Sequence, residues 1–303
     1  MSRRKGFFAR FHRSLRWILR VVLILVIADL VYLTMIWPDW KTLAQGDIPR
    51  SSFMQLYTER QVERGWPKLR WQPVPQSKIP RHLIRAVLLA EDSRFYAHSG
   101  FDLIAIREAL DYNLGRGEML IGASTISQQT VKNLYLSPSR DPLRKWHEVA
   151  LTFGLEQNLR KSRILELYLN VAEFGRGIYG VQAASQAYYG IDVGMLSLAQ
   201  AAELAACLPS PVKNNPEVRT ERFQRRSQRI LDLLTRELSA TVNEASFTDG
   251  GSAGREAVSE RGLIHRTNAG AVFRPRLTAG PALSVTDHSV PPVQPAELAA
   301  SGQ

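Results

Sequence analysis

From Val21 to Trp37 the only charged residue is Asp29 and nearly all the others are apolar, and this run constrains the chain more than any other feature. A bilayer core requires roughly 17 to 25 apolar residues in a helix, because no water is present there to satisfy backbone N–H and C=O groups. Trp17, Ile18 and Leu19 extend the run backwards, so residues 17–37 are predicted to form one transmembrane helix. Arg3, Arg4, Lys5, Arg10, Arg13, Arg16 and Arg20 precede it with no acidic residue among them. That flank holds residues 1–16 in the cytoplasm and puts everything after Pro38 beyond the membrane. The expected location is the inner (cytoplasmic) membrane, single-pass, with the folded part periplasmic. A cleaved signal peptide is the competing reading; the run is long for one, and no small-residue cleavage site follows it. Asp29 is costly at that depth unless it snorkels or meets a partner helix. It reads as a tolerated polar residue or as a weak sign of lateral association.

What remains of the 303 residues, about 45–238, is long enough for one good core or two small lobes. From about Ser239 onward Gly, Ala, Ser, Thr and Pro dominate without an apolar period, so 239–303 is expected to be a mostly disordered tail. The lone Cys207 excludes an intramolecular disulfide framework. Much of the net charge of +11 sits in the membrane flank, and the rest suits anionic lipid or a phosphorylated substrate better than nucleic acid. No nucleic-acid partner is expected.

The middle of the chain reads as helices joined by glycine-bearing loops, so the class is mainly α. Pro80 opens one helix ending near Glu91, Asp102 caps a second, and Thr125 with Gln128 forms a capping box for a third. Asp141-Pro142, Ser197 with Gln200, and Asn215-Pro216 mark further starts. Gly115, Gly117 and Gly122 bracket Met119, Leu120 and Ile121 in a segment predicted to be mobile, whose apolar residues can dip into lipid.

The candidate chemistry lies on these elements. Glu91 closes the apolar stretch Leu83 to Ala90 at the rim of a core, where burial raises a carboxyl pKa toward general-base values; a solvated helix end is the bland alternative. Arg144 and Lys145 stand four and three residues before Glu148, so the three project from one side of a helix as a cation pair beside a second carboxylate. An ordinary ion-pair stripe would look the same. Lys132 and Lys161 add cations to this region, and such a set can neutralise a departing pyrophosphate. Ser124, Thr125, Gln128 and Gln129 offer hydroxyls and amides for a sugar, although a capping box explains Thr125 and Gln128 without a ligand. Glu173 and Arg176 flank Phe174 and Gly175 in a loop whose glycines permit close backbone approach.

Five ordered blocks carry a resemblance: Glu91 to Asp102; Gly122 to Gln129; Arg144-Lys145-Trp146-His147-Glu148; Lys161 to Asn170; and Glu173 to Ala184. Over roughly residues 60–235 the chain resembles the peptidoglycan glycosyltransferase family, and within it the monofunctional biosynthetic transglycosylases. Ala123 stands where the family usually has glycine, and Thr130-Val131 replaces a more usual Leu-Ala. The resemblance implies a mainly helical, lysozyme-like lobe beside a smaller membrane-facing lobe. It implies that lipid II is polymerised into glycan strands, with Glu91 as general base and Glu148 as second carboxylate. Lys132, Arg144 and Lys145 would neutralise pyrophosphate, Ser124, Gln128 and Gln129 would contact sugar or phosphate, and Lys161, Glu173 and Arg176 would belong to the same site. No cofactor is required on this reading; Mg or Mn near Glu148 would accompany the pyrophosphate. Expected partners are lipid II, the growing glycan strand, membrane lipid and cell-division or elongation proteins. Two competitors stay open: a membrane-anchored lytic transglycosylase or lysozyme-like hydrolase, and a non-enzymatic cell-wall scaffold.

Overall fold

Polar side chains at the helix entrances set most of the boundaries in this chain. The structure, a computed structural model, describes residues 2–116, 124–139 and 141–249; Met119, Leu120, Ile121 and the chain beyond 249 lie outside the described residues. Helix α1 (Ser2–Met35) carries the apolar run and is long and apolar enough to cross a membrane. Its side chains from Val22 to Ile27, with Leu30 and Val31, are exposed, as suits a surface meant for lipid tails rather than for a protein core. Asp39 then caps α2 (Trp40–Gln45), accepting from the N–H groups of Lys41 and Thr42 at 3.0 and 3.3 Å. Ser51 caps α3 (Ser52–Gln61) in the same way through Met54.

Beyond these, Pro80 precedes α4 (Arg81–Glu91), and Asp102 caps α5 (Leu103–Arg116) by accepting from Ile104 and Ala105. The Thr125–Gln128 capping box starts α6 (Ile126–Tyr135), while Asp141 caps α7 (Pro142–Asn158). Helices α8 (Lys161–Val171), α9 (Val181–Tyr189) and α10 (Leu198–Cys207) follow, the last behind the Ser197–Gln200 capping box. The starts of α4, α5, α6, α7 and α10 agree with the sequence. The final one does not: α11 (Glu221–Asp249) begins six residues after Asn215. Asn215 instead holds a turn, its side chain accepting from Glu217 and Val218, and Arg219 at φ 47° sits in the left-handed region that breaks a right-handed helix. Thr220 supplies the real cap, accepting from Phe223 at 3.2 Å. The helix also runs to Asp249, past the boundary drawn at Ser239 from composition.

Three short strands, β1 (Arg70–Trp71), β2 (Glu173–Gly175) and β3 (Ile178–Tyr179), form a sheet of order β1-β3-β2, with β3 parallel to β1 and antiparallel to β2. The fold is mainly α, as the sequence predicts. Helix α10 is buried over most of its second half, and Ala201, Ala202, Ala205 and Ala206 let it pack closely against α4 and α11. Helix α6 packs on both α7 and α8.

Asn170, buried at the end of α8, ties the sheet to the helices. Its Oδ1 accepts from the N–H of Val74 at 2.8 Å, and its Nδ2 donates to the carbonyls of Val74 and Glu166 at 3.0 and 2.8 Å. Its own carbonyl accepts from the Trp71 indole at 2.9 Å. Asn170→Ala leaves both peptide groups of Val74 without these partners; at about 1–3 kcal/mol per unsatisfied buried group, the expected loss is about 3 kcal/mol. Urea unfolding of the purified chain in detergent measures it, and a loss below about 1 kcal/mol would show that Val74 is satisfied otherwise.

Candidate active site

At the end of α4 the two acidic residues of the Glu91-Asp92 pair part company. Glu91 keeps only 11% of its side chain exposed. Its Oε2 accepts from the Gln129 amide of α6 at 3.0 Å, and its Oε1 accepts from the Arg226 guanidinium of α11 at 2.9 Å. Burial pushes the Glu91 carboxyl above its usual range, with Gln129, Arg226 and Lys132 pulling it back down. Tyr168, whose phenol burial holds protonated, lies 3.2 Å from the Gln129 carbonyl oxygen and orients that amide toward Glu91. Asp92 is structural instead: it accepts from the backbone of Ile126 at 3.0 Å and lies 2.9 Å from the His98 ring.

The second carboxylate, Glu148, is buried in the second turn of α7. Arg144 donates to its Oε2 at 2.8 Å, and Lys145 pairs with Oε1. The spacing read from the sequence therefore produces this grip. Lys132 stands one turn beyond Gln129 on α6 and feels both Glu148 and Glu91. Burial lowers its ammonium pKa, while the two carboxylates oppose that shift. Among the described residues Lys132 makes no hydrogen bond or ion pair, so no protein partner takes up its charge there.

Most of the remaining candidates have partners of their own. Thr125 and Gln128 are buried and bonded to each other in the α6 cap, with Thr125 Oγ1 also donating to the Gly100 carbonyl at 2.7 Å. The capping alternative thus accounts for both, and Ser124 is exposed beside them. Lys161 pairs with Glu156 at 2.7 Å and lies 4.4 Å from the centre of the Phe95 ring; Glu156 also accepts from Ser127. Glu173 and Arg176 line a cavity of about 260 Å³ with Tyr57, Trp66 and Tyr179. Gly177 in that loop has φ 71°, and a Cβ there would run into the Tyr57 hydroxyl.

A divalent ion held by protein at Glu148 does not fit this donor set, because both carboxylate oxygens already face cations. Among the described residues Asp92, His98 and Asp102 come within 4.8 Å of one another through their ligand atoms. Yet Arg94 holds both oxygens of Asp102, at 2.8 and 2.9 Å, which makes that cluster a brace rather than a cation site.

Arg226 and Tyr168 escaped the sequence reading. Arg226 lies three residues after buried Phe223 and four before buried Ile230, so it alone among the nearby arginines is in phase with the apolar stripe of α11. That phase was the available signal. Arg226 also lines a cavity of about 600 Å³ with Arg222, Arg225 and Arg229, an anion-attracting surface.

Glu91 and Glu148 are thus both buried and both face cations, Arg226 for the first and Arg144 with Lys145 for the second. The chain belongs to the transglycosylase family, whose model matches residues 60–235. It is 42% identical over 197 residues to the biosynthetic peptidoglycan transglycosylase of Nitrosospira multiformis, covering 65% of this chain and 86% of that protein. The protein of the same description from Azoarcus sp. is 48% identical over 164 residues, 54% of this chain and 71% of that one. That of Herminiimonas arsenicoxydans is 38% identical over 220 residues, 72% and 94% respectively.

Burial pushes the Glu173 carboxyl up to about 7 from an ordinary 4.5, against the opposing effects of the Gly177 N–H and Arg176. Between those two values the native state keeps a proton that the unfolded chain has lost, so stability falls as pH rises through the window. Glu173→Gln removes this dependence. At pH 8 the variant is expected to gain about 2–3 kcal/mol on the parent relative to the difference at pH 4. Denaturant unfolding at the two pH values checks it, and parallel behaviour of the two proteins would refute it.

Proposed function

We propose that this protein polymerises lipid II into glycan strands at the outer face of the inner membrane, inverting the anomeric centre and releasing undecaprenyl pyrophosphate. The carrying observation is the set of cations about the two buried acids: Arg226 on Glu91, Arg144 and Lys145 on Glu148, and Lys132 on α6, unpaired among the described residues. Glu91 in its ionised form takes the proton from the 4-hydroxyl of the incoming sugar. That oxygen then bonds to the anomeric carbon of the growing chain, and the electron pair of the breaking C–O bond leaves with the pyrophosphate. Each Glu91 oxygen has accepted one hydrogen bond, which leaves lone-pair capacity for the substrate hydroxyl. Lys132, Arg144 and Lys145 neutralise the leaving group, and Glu148 holds the latter two in place. Any Mg or Mn would arrive on the pyrophosphate rather than on a protein cage.

Three cations beside the acids favour transfer from a diphosphate over hydrolysis of a neutral glycan, which has no use for them. The basic flank of α1 supports a cytoplasmic amino terminus, and the anchor brings the site to a lipid-borne substrate at high effective concentration. Exposed Leu103, Ile104, Leu110 and Leu114 on α5 and Leu143 and Trp146 on α7 offer further apolar surface to the bilayer. Cell-division or elongation proteins would meet the enzyme there.

Purified chain and labelled lipid II test the assignment. Glu91→Gln and Lys132→Ala are each expected to reduce polymer formation by about 100-fold or more, and near-parental turnover in either would remove that residue from the chemistry. Arg226→Ala deletes a cation that stabilises ionised Glu91, so the Glu91 pKa rises further. The acidic limb of the rate profile therefore moves to higher pH; an unmoved limb would show that Glu91 is not the titrating base.

A further inference from the structure

We propose that Asp29, inside the apolar run of α1, is a positioning residue for α7, fixing the direction in which that helix presents Glu148, Arg144 and Lys145. The chemical consequence rests on the function proposed above, but the contact does not. Asp29 Oδ1 lies 2.7 Å from Nε2 of His147, and Asp29 Oδ2 accepts from the Trp146 indole at 3.1 Å. The His147 side chain is only 9% exposed. Tyr32, one turn on from Asp29, places its ring 5.2 Å from that imidazole.

The same seam continues for two more turns. Leu33 and Ile36 pack against the core, and Trp37 and Trp40 close over Gly154, which lies two turns along α7 from His147. A Cβ on Gly154 would stand 2.6 Å from the Trp40 ring and 2.9 Å from that of Trp37, so only glycine admits this approach. A carboxylate in an apolar run needs a partner, and here both of its oxygens have one. Successive residues project about 100° apart around a helix. Pinning Trp146 and His147 to the anchor therefore sets the rotation of α7, and the adjacent Glu148 with its two cations turns with it. The anchor on this account is part of the catalytic architecture as well as a tether.

The test uses the full chain in nanodiscs of phosphatidylethanolamine and phosphatidylglycerol. Asp29→Leu makes α1 more apolar, so membrane insertion is preserved, while Asp29→Asn keeps an oxygen that accepts from the indole and offers an N–H to the neutral imidazole nitrogen. In Asp29→Leu, kcat for lipid II polymerisation is expected to fall about tenfold with KM within about twofold, as misplacement of reacting groups demands. Asp29→Asn recovers most of the rate. Adding Asp29→Leu to His147→Leu lowers the rate by less than about twofold more, because the pair acts as one unit. Independently of turnover, amide hydrogen exchange over 142–158 accelerates about tenfold in Asp29→Leu. Unchanged exchange overturns the inference whatever the activity. So does parental kcat, or a raised KM at constant kcat, since either reduces Asp29 to tethering. A parent chain that makes no polymer counts against the proposed function, and exchange then decides the role of Asp29.

Discussion

The proposed site depends on a carboxylate that the fold buries against an amide and a guanidinium. Glu91 sits where the apolar face of α4 ends, so desolvation favours its protonated form, yet Gln129, Arg226 and Lys132 oppose that shift. For the proposed role of Glu91 neither influence alone would give a useful base. An exposed glutamate is too weak a proton acceptor, and a buried one without donors keeps its own proton at neutral pH. The donors arrive from α6 and α11, so α4, α6 and α11 must assemble before Glu91 acquires its character. Packing of α10 against both α4 and α11 brings two of these elements together.

Glu148 solves a different problem. It is more deeply buried than Glu91, but Arg144 and Lys145 on its own helix hold it as a local ion-pair cluster. Because its partners lie within one turn, this cluster forms with the helix and needs tertiary structure only to place it. Lys132, one turn beyond Gln129 on α6, feels the charge of both the locally built carboxylate and the globally built one. The membrane run enters the same arrangement through Asp29, which touches the residue preceding Glu148.

Much of this was legible in the sequence for short-range reasons. The caps at Asp102, Thr125, Asp141 and Ser197 act within three residues, and the Arg144, Lys145 and Glu148 spacing acts within four. The start of α11 was misread because Asn215-Pro216 is as good a turn as it is a helix entrance, and only the backbone of Arg219 separates the two. Thr125 and Gln128 illustrate the converse ambiguity. The same hydroxyl and amide suit a sugar or a helix end, and here both make the capping box of α6.

The sequence by itself determined the membrane-length apolar run, the mainly helical class, the starts of α4, α5, α6, α7 and α10, and the Arg144, Lys145 and Glu148 grip, because these follow from periodicity and contacts a few residues long. Tertiary structure alone decided that Arg226 and Gln129 converge on Glu91, that Lys161 serves Glu156, and that Asp29 finds His147 across 118 residues of chain. A pKa depends on the burial and charges around a group in space, and no local pattern encodes which distant side chains will supply them.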